Sequence, residues 1–211
     1  MPLFLTIILS VISLLLISII IFFIFFAIDL FLDLPYVATK KEKINTIMKL
    51  AQLKSQDTVI DLGSGDGRLL FASAQKGVRA IGYEVNPFLI LLTRFKAFLT
   101  HSRSEAKPLP GKHSGSVNVK RQNLWKANLK VADVIFVYGR KKTMQKFEDF
   151  VYKNAKRGAR IMVNTNPFPN KKPLKSENGI FLYQVWRFII ELCIYFYIYL
   201  IHSSLLFFYL Y

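Results

Sequence analysis

At 211 residues the chain has room for one α/β domain plus appendages. Basic residues outnumber acidic ones 29 to 13, a formal net charge of +16, which calls for an anionic neighbour. The cations are spread along the chain rather than gathered in a block, which favours membrane lipid over any specific nucleic acid. The lone Cys193 excludes an intrachain disulfide, and His101, His113 and His202 lack ligand spacing, so no metal is expected.

Residues 3–28 carry no charge and are almost wholly Leu, Ile, Phe and Val. About twenty such residues cross the hydrocarbon core of a bilayer. A cleavable signal peptide would show a basic start, a shorter apolar stretch and a small-residue cleavage site. With none of these, residues 1–28 read as an uncleaved transmembrane anchor. Lys40, Lys41 and Lys43 follow, so the positive-inside rule puts the bulk of the chain on the cytoplasmic or organellar matrix side.

Residues 29–43 form a juxtamembrane linker. Leu34-Pro35-Tyr36-Val37-Ala38-Thr39 begins extended, because a residue before proline avoids the helical region. The piece can pack between anchor and domain, or fold over a pocket as a lid. Thr39 and Glu42 have the spacing of a capping box, opening a helix with Ile44, Ile47, Met48, Leu50, Ala51 and Leu53 on one face.

A domain over residues 44–187 is organised around the next stretch. Thr58-Val59-Ile60 reads as a buried parallel strand; Asp61-Leu62-Gly63-Ser64-Gly65-Asp66-Gly67-Arg68 follows, then an apolar-periodic helix over 69–74. Glycines here permit a left-handed turn and let a ligand approach bare backbone. A dinucleotide fingerprint needs G-x-G-x-x-G with a helix N-terminus facing pyrophosphate. This turn has G-x-G-x-G, and Asp61 precedes it; a carboxylate aimed into the turn repels pyrophosphate and suits a sulfonium or ammonium. S-adenosylmethionine carries both. Residues 78–83 read as the next strand and end in Glu84, a carboxylate placed to accept from a ribose diol, a feature dehydrogenases share.

Asn86-Pro87 opens a helix over 88–100 whose apolar positions nearly encircle it, so it packs on both sides or against membrane. Residues 101–116 read as an exposed polar loop. Strands are expected at 117–121, 131–137 and 159–163, a helix at 144–155, a rigid loop at Asn166-Pro167-Phe168-Pro169-Asn170, and a last strand at 180–186. This alternation predicts an α/β fold: a Rossmann-like doubly wound, mostly parallel sheet with ligands at the strands' carboxyl ends. Residues 188–211 are a hydrophobic tail, long enough either for a second transmembrane helix or for a helix lying in the interface. Trp125 and Trp186 read as packing residues.

The glycine motif with Glu84 and Asn86-Pro87 resembles the seven-strand class I methyltransferases. Pro35-Tyr36-Val37-Ala38-Thr39 and Asn166-Pro167-Phe168-Pro169 bring the chain closer to one branch of that family. The branch comprises membrane-anchored protein-lysine methyltransferases related to those acting on the ATP synthase c-subunit and the adenine nucleotide translocase. The resemblance covers about residues 1–187. It implies S-adenosylmethionine as cofactor, with Asp61, Gly63 and Gly65 at the methionine end and Glu84 on the ribose. It implies Asn123 and the Leu124 N–H at the adenine, with Thr39, Ser64 and Asn86 as further cofactor contacts. Tyr138, at the tip of the fourth strand, is the position facing the transferred methyl and the substrate. The chain departs from the family in Ala38 for a second proline, in Asn123 for a common Asp, in the missing Asp/Asn-Pro-Pro-Tyr motif, and in its tail. Three readings of function stand: methylation of a lysine on a membrane protein, methylation of a small lipophilic acceptor such as a quinone or lipid, and a non-catalytic cofactor-binding protein.

Overall fold

The computed structural model describes residues 2–31, 37–105 and 115–186. The tail at 188–211 and parts of the expected linker and loop lie outside the described residues. Helix α1 (Pro2–Phe31) is apolar, and its side chains over residues 3–24 are solvent-exposed. Helix α2 (Lys41–Ala51) follows, then β1 (Thr58–Leu62), α3 (Arg68–Ala74), β2 (Arg79–Glu84), α4 (Pro87–Glu105), β3 (Ser116–Arg121), β4 (Val134–Tyr138), α5 (Met144–Asn154), β5 (Arg160–Asn164), β6 (Lys175–Glu177) and β7 (Ile180–Gln184).

The seven strands form one sheet in the order β3-β2-β1-β4-β5-β7-β6. The first five are parallel and the last two antiparallel, so the expected mostly parallel, doubly wound sheet is what forms. Side chains of a strand alternate between faces. Ile60 and Leu62 of β1 therefore join Ile135, Val137, Ile161 and Val163 under Met144, Phe147 and Val151 of α5. Val59, Val134, Phe136 and Met162 face the other way, under Ile47, Leu50 and Ala51 of α2 and Leu69 of α3. Burial on both faces explains why the central strands lack polar alternation.

Helix α2 is docked at its C-terminus by charge. The Arg160 guanidinium donates to the Ala51 and Gln52 carbonyls and pairs with Asp57, a cation where the helix leaves carbonyls unpaired. Its N-terminus corrects the capping-box expectation. Lys40 takes the N-cap position without a side-chain bond, and Thr39 is buried elsewhere.

Three further boundaries differ from the sequence reading. Helix α4 continues through Glu105, past the expected end at Thr100. Val131, expected to open the fourth strand, instead ends the 3-10 turn Leu129–Val131, which is capped by the Asn128 side chain, and β4 starts at Val134. Strand β6 was not expected; it pairs with β7 across Asn178-Gly179, both at positive φ. That dipeptide favours a tight hairpin turn. The loop over 166–170 is held as anticipated: Phe168 packs on Tyr183 and takes its hydroxyl as acceptor, and the Asn170 N–H donates to buried Glu148.

Candidate cofactor and active site

Strand β1 lies between β2 and β4, and connections run in opposite directions from it, so a crevice opens at the carboxyl ends of these strands. The cavity found there is lined by Asp61, Gly63, Ser64 and Gly65 from β1 and its turn, and by Glu84, Val85 and Leu89 from β2 and the start of α4. Asn123, Leu124 and Trp125 after β3, Tyr138, Gly139 and Arg140 after β4, and Asn166 complete the far wall. Val37, Ala38 and Thr39 close one side. Of the site residues expected from sequence, Asn86 alone is absent from the lining. It is buried, and its side chain caps α4 by accepting from the Phe88 N–H.

The turn is built around three glycines at positive φ: Gly63 at 92°, Gly65 at 55° and Gly67 at 78°. Its amides are already engaged. Gly63 and Ser64 donate to the Tyr83 carbonyl, Gly65 to Glu84 Oε2, and Gly67 to the Ser64 carbonyl. A phosphate-binding turn offers its N–H groups to the ligand; this one spends them internally. The Ser64 hydroxyl is likewise turned inward against Gly82, buried and without a hydrogen-bond partner among the described residues.

Negative charge collects where the amides are spent. Asp61 is 5% exposed, and no donor among the described residues reaches its carboxylate. Burial, with Glu84 and Asp66 adding repulsion, pushes its pKa up to about 7. Asp66 differs: although burial opposes ionisation, the Arg68 hydrogen bonds and Lys96 hold its carboxyl below the usual range. The Glu84 Oε1 accepts from the Val85 and Asn86 amides, and Oε2 from Gly65. A carboxylate offers about four lone-pair sites, so capacity remains for ligand hydroxyls.

Asn123 Oδ1 caps the 3-10 turn Leu124–Lys126 by accepting from the Trp125 N–H. The side chain is thus fixed in orientation at the cavity wall. Trp125 packs on Phe147 with ring centroids 4.6 Å apart, and Lys146 Nζ lies 4.3 Å from its ring centroid. It is a packing residue, as expected, and also a cavity wall. The Asn166 amide donates to the Gly139 carbonyl at 2.8 Å, tying the loop after β5 to the tip of β4 beside Tyr138.

The linker wall is tethered twice. Arg68 Nη1 donates to the Thr39 carbonyl at 2.7 Å, and Lys43 Nζ reaches Asn164 Oδ1 at 3.1 Å and Thr165 Oγ1 at 2.7 Å. Asn164, buried at the end of β5, in turn faces the Thr39 hydroxyl. Sequence reasoning missed Asp66, Arg68, Arg140, Asn164 and Asn166 as contributors. Asp66, Arg68 and Asn166 lay inside stretches already singled out for other reasons; Arg140 and Asn164 reach the site by folding of distant segments.

A sequence profile described as the ANTKMT methyltransferase domain matches residues 61–175, from the Asp61 carboxylate through the loop after β5. The chain belongs to that family. Among its relatives is the human ATP synthase c-subunit lysine N-methyltransferase, 29% identical over 140 residues, which are 66% of this chain and 55% of that protein. The mouse adenine nucleotide translocase lysine N-methyltransferase is 31% identical over 144 residues, 68% of this chain and 58% of that one. The chain thus spans a little over half the length of these two relatives. An RNA methyltransferase from Salinibacter ruber, solved with S-adenosyl-L-homocysteine, superposes with a TM-score of 0.61 at 22% identity, over 71% of this chain and 94% of that one. That likeness concerns the fold, and it is the fold that family membership requires.

Proposed function

We propose that the chain is an S-adenosylmethionine-dependent protein-lysine N-methyltransferase, held at a membrane by α1 and acting on a lysine of a membrane protein. The observation that carries the cofactor reading is Asp61: a buried carboxylate that no donor among the described residues reaches, at a glycine turn whose amides are already spent. A site of that kind calls for a cation and rejects a phosphate. When bound, the cofactor supplies a methyl group activated on sulfonium sulfur. Asp61 then balances its positive methionine end, Glu84 has lone pairs for the ribose hydroxyls, and the Leu124 N–H and Asn123 carbonyl offer donor and acceptor to the base.

Tyr138, Arg140 and Asn166 border one part of the cavity, and in this reading that part receives the acceptor. An attacking lysine must be neutral, and its ordinary pKa of roughly 10.4 opposes that. Entry into a water-poor cavity lowers that pKa, and the Asn166–Gly139 bond fixes the tip of β4 that positions the amine. Tyr138 is the positioning residue in this reading, and the proton lost by the amine passes to solvent.

The lysine and membrane elements rest on two supports. Relatives are named for lysine methylation of the ATP synthase c-subunit and the adenine nucleotide translocase. Leu3–Ile24 of α1, with a hydropathy of 3.3, is long and apolar enough to cross a membrane by length and composition. The test uses solubilised full-length protein, radiolabelled S-adenosylmethionine and a membrane fraction lacking the enzyme, with Asp61→Asn as control. Label in a discrete protein band, removed by the substitution and mapped to lysine, is the expected result. Label confined to extractable lipid would replace the lysine reading with a lipophilic acceptor.

A further inference from the structure

The chain turns out of β5 at Thr165, and the turn is strained. Of the three non-glycine residues at positive φ among the described residues, Thr165, at 71°, is the β-branched one, for which that region is a genuine outlier. The Asn166 N–H donates back to the Asn164 carbonyl at 2.9 Å, closing a three-residue γ-turn of the rare positive-φ kind. The surroundings hold it there. The Thr165 N–H donates to the Gly179 carbonyl at 2.8 Å, and its hydroxyl sits between Lys43 Nζ at 2.7 Å and Asn164 Oδ1 at 2.9 Å. A strained residue so firmly over-determined points to what it places. What it places is Asn166. The β4–β5 ladder ends at the Tyr138–Asn164 pair, and beyond it the Asn166 side chain reaches across to the Gly139 carbonyl at 2.8 Å. That carbonyl is a fixed point, because Gly139 packs so closely on Phe147 and Thr143 that a Cβ would collide with both.

We infer that the Asn166 side-chain oxygen is the acceptor that meets the substrate amine and holds it for attack, beside Tyr138. The inference rests on the lysine reading given above and names a contact which that reading leaves open. Only the amide nitrogen can donate to a carbonyl, so the bond to Gly139 fixes which end of Asn166 is which. Nδ2 is spent, and Oδ1 remains. No donor among the described residues reaches it and, unlike the Ser64 hydroxyl, it is not sealed from its surroundings. The neighbours on this wall of the cavity cannot take its place. Arg140 carries only donors, and the Gly139 carbonyl already accepts from Asn166; Tyr138 adds a hydroxyl that accepts as well as donates. The charge is as suitable as the position. A carboxylate here would hold the lysine as an ammonium with no lone pair to give, whereas a neutral amide oxygen accepts from an amine without fixing its proton. Once the ammonium has lost a proton to solvent, one N–H of the neutral amine donates to Oδ1, which turns the nitrogen lone pair toward the methyl group. The amine forms the N–C bond as the carbon–sulfur bond breaks. The electron pair of that bond stays on sulfur, and the positive charge passes to nitrogen as a methylammonium.

Full-length Asn166→Ala and Asn166→Asp test this. The acceptor is the membrane fraction lacking the enzyme, and the initial rate of labelling is read at saturating S-adenosylmethionine. Calorimetry, which needs no turnover, should find the cofactor Kd of Asn166→Ala within about threefold of the unsubstituted protein. Its labelling rate should fall about tenfold, the worth of one hydrogen bond made at the reacting nitrogen. Asn166→Asp keeps an oxygen in place but charges it. A carboxylate favours the ammonium, so the rise of rate with pH between roughly pH 7 and 10 should move up by about one unit. A substitution that merely loosened the tip of β4 would lower the rate at every pH without moving that profile, so an unmoved profile would overturn the contact. Labelling by Asn166→Ala at the unsubstituted rate would overturn it too. So would a cofactor Kd that rises as far as the rate falls, which would make Asn166 part of the cofactor pocket instead. Label placed by the unsubstituted protein only in lipid would defeat the lysine reading, and the Asn166 contact with it. Label in a protein band, joined to any of those variant results, defeats the contact alone.

Discussion

Burial strips water from the Asp61 carboxylate, and Glu84 and Asp66 add negative potential, so in the free protein it titrates near pH 7. An unfolded aspartate has lost its proton by about pH 4. Between those values the folded chain holds a proton that the unfolded chain does not, so this group makes the free domain less stable as pH rises from roughly 4 to 7. A cationic ligand reverses the trend, because it binds the ionised form. Affinity for S-adenosylmethionine should therefore rise about tenfold between roughly pH 6 and pH 8, the range over which a group with pKa near 7 ionises. Calorimetric titration across that range checks it, and Asp61→Asn should bind weakly with a flat profile. Gly82 makes a second demand at this scale. A Cβ there would stand 2.6 Å from Ser64 Cβ, which is fixed to the backbone and cannot swing aside, and 2.7 Å from Leu70 Cδ1. Gly82→Ala should cost about 1–3 kcal/mol as an overpacked contact, read in denaturant unfolding, and should disturb the glycine turn. Asp61 stood out in the sequence because it ends a β-branched run just before the glycines, and Glu84 because it ends the next strand about twenty residues beyond them. Asn86 stands outside the cavity lining: an Asn before a proline can cap a helix as well as meet a ligand, and here its side chain accepts from the Phe88 N–H.

Among the elements, the least regular one is the most consequential. Residues 37–39 have no secondary structure, yet they wall the cavity and hang from Arg68 and Asn164, with Lys43 bonded in turn to Asn164. Sequence alone left this piece as packing segment or lid. The Thr39–Asn164 approach spans 125 positions, and no local pattern encodes it. Lys43 is half-buried on α2 and stands outside both apolar cores, so its loss should act on the wall rather than on the fold. Lys43→Ala removes two hydrogen bonds at about 1 kcal/mol each at most. It should raise the Kd for the cofactor roughly three- to tenfold, with the thermal midpoint of the free protein shifted little. An equal fall in midpoint and affinity would instead mean that Lys43 supports α2 itself. The β6–β7 hairpin shows the opposite kind of omission: its Asn-Gly signal was present, but Lys175-Ser176-Glu177 has no apolar alternation to pair with it. Its partner β7 is buried by neighbours, and β6 is held as an edge.

At the scale of the whole molecule, parallel sheet, glycine turn and family follow from one another, since a ligand site at the β1–β4 divergence needs that strand order. The order itself was legible because strand and helix patterns alternate; its antiparallel end was not, because edge pairing depends on contacts distant in sequence. The apolar helix α1 then sets how such a domain would meet its substrate. An enzyme and a substrate confined to one membrane encounter each other at an effective concentration fixed by the tether rather than by bulk dilution. Two lysines at the centre of α1, Leu14→Lys with Ile17→Lys, cost about 2.5–3.5 kcal/mol each on insertion scales, enough to move the chain from carbonate-resistant to carbonate-extractable. Cofactor affinity should be untouched, because residues 14 and 17 are remote in sequence from every residue that lines the cavity. Methyl transfer to a membrane-embedded acceptor should fall by at least tenfold, on the scale of lost effective concentration, and be restored in part by raising enzyme concentration. Transfer that stays unchanged after release from the membrane would show that α1 serves location alone and that the substrate is reached from solution.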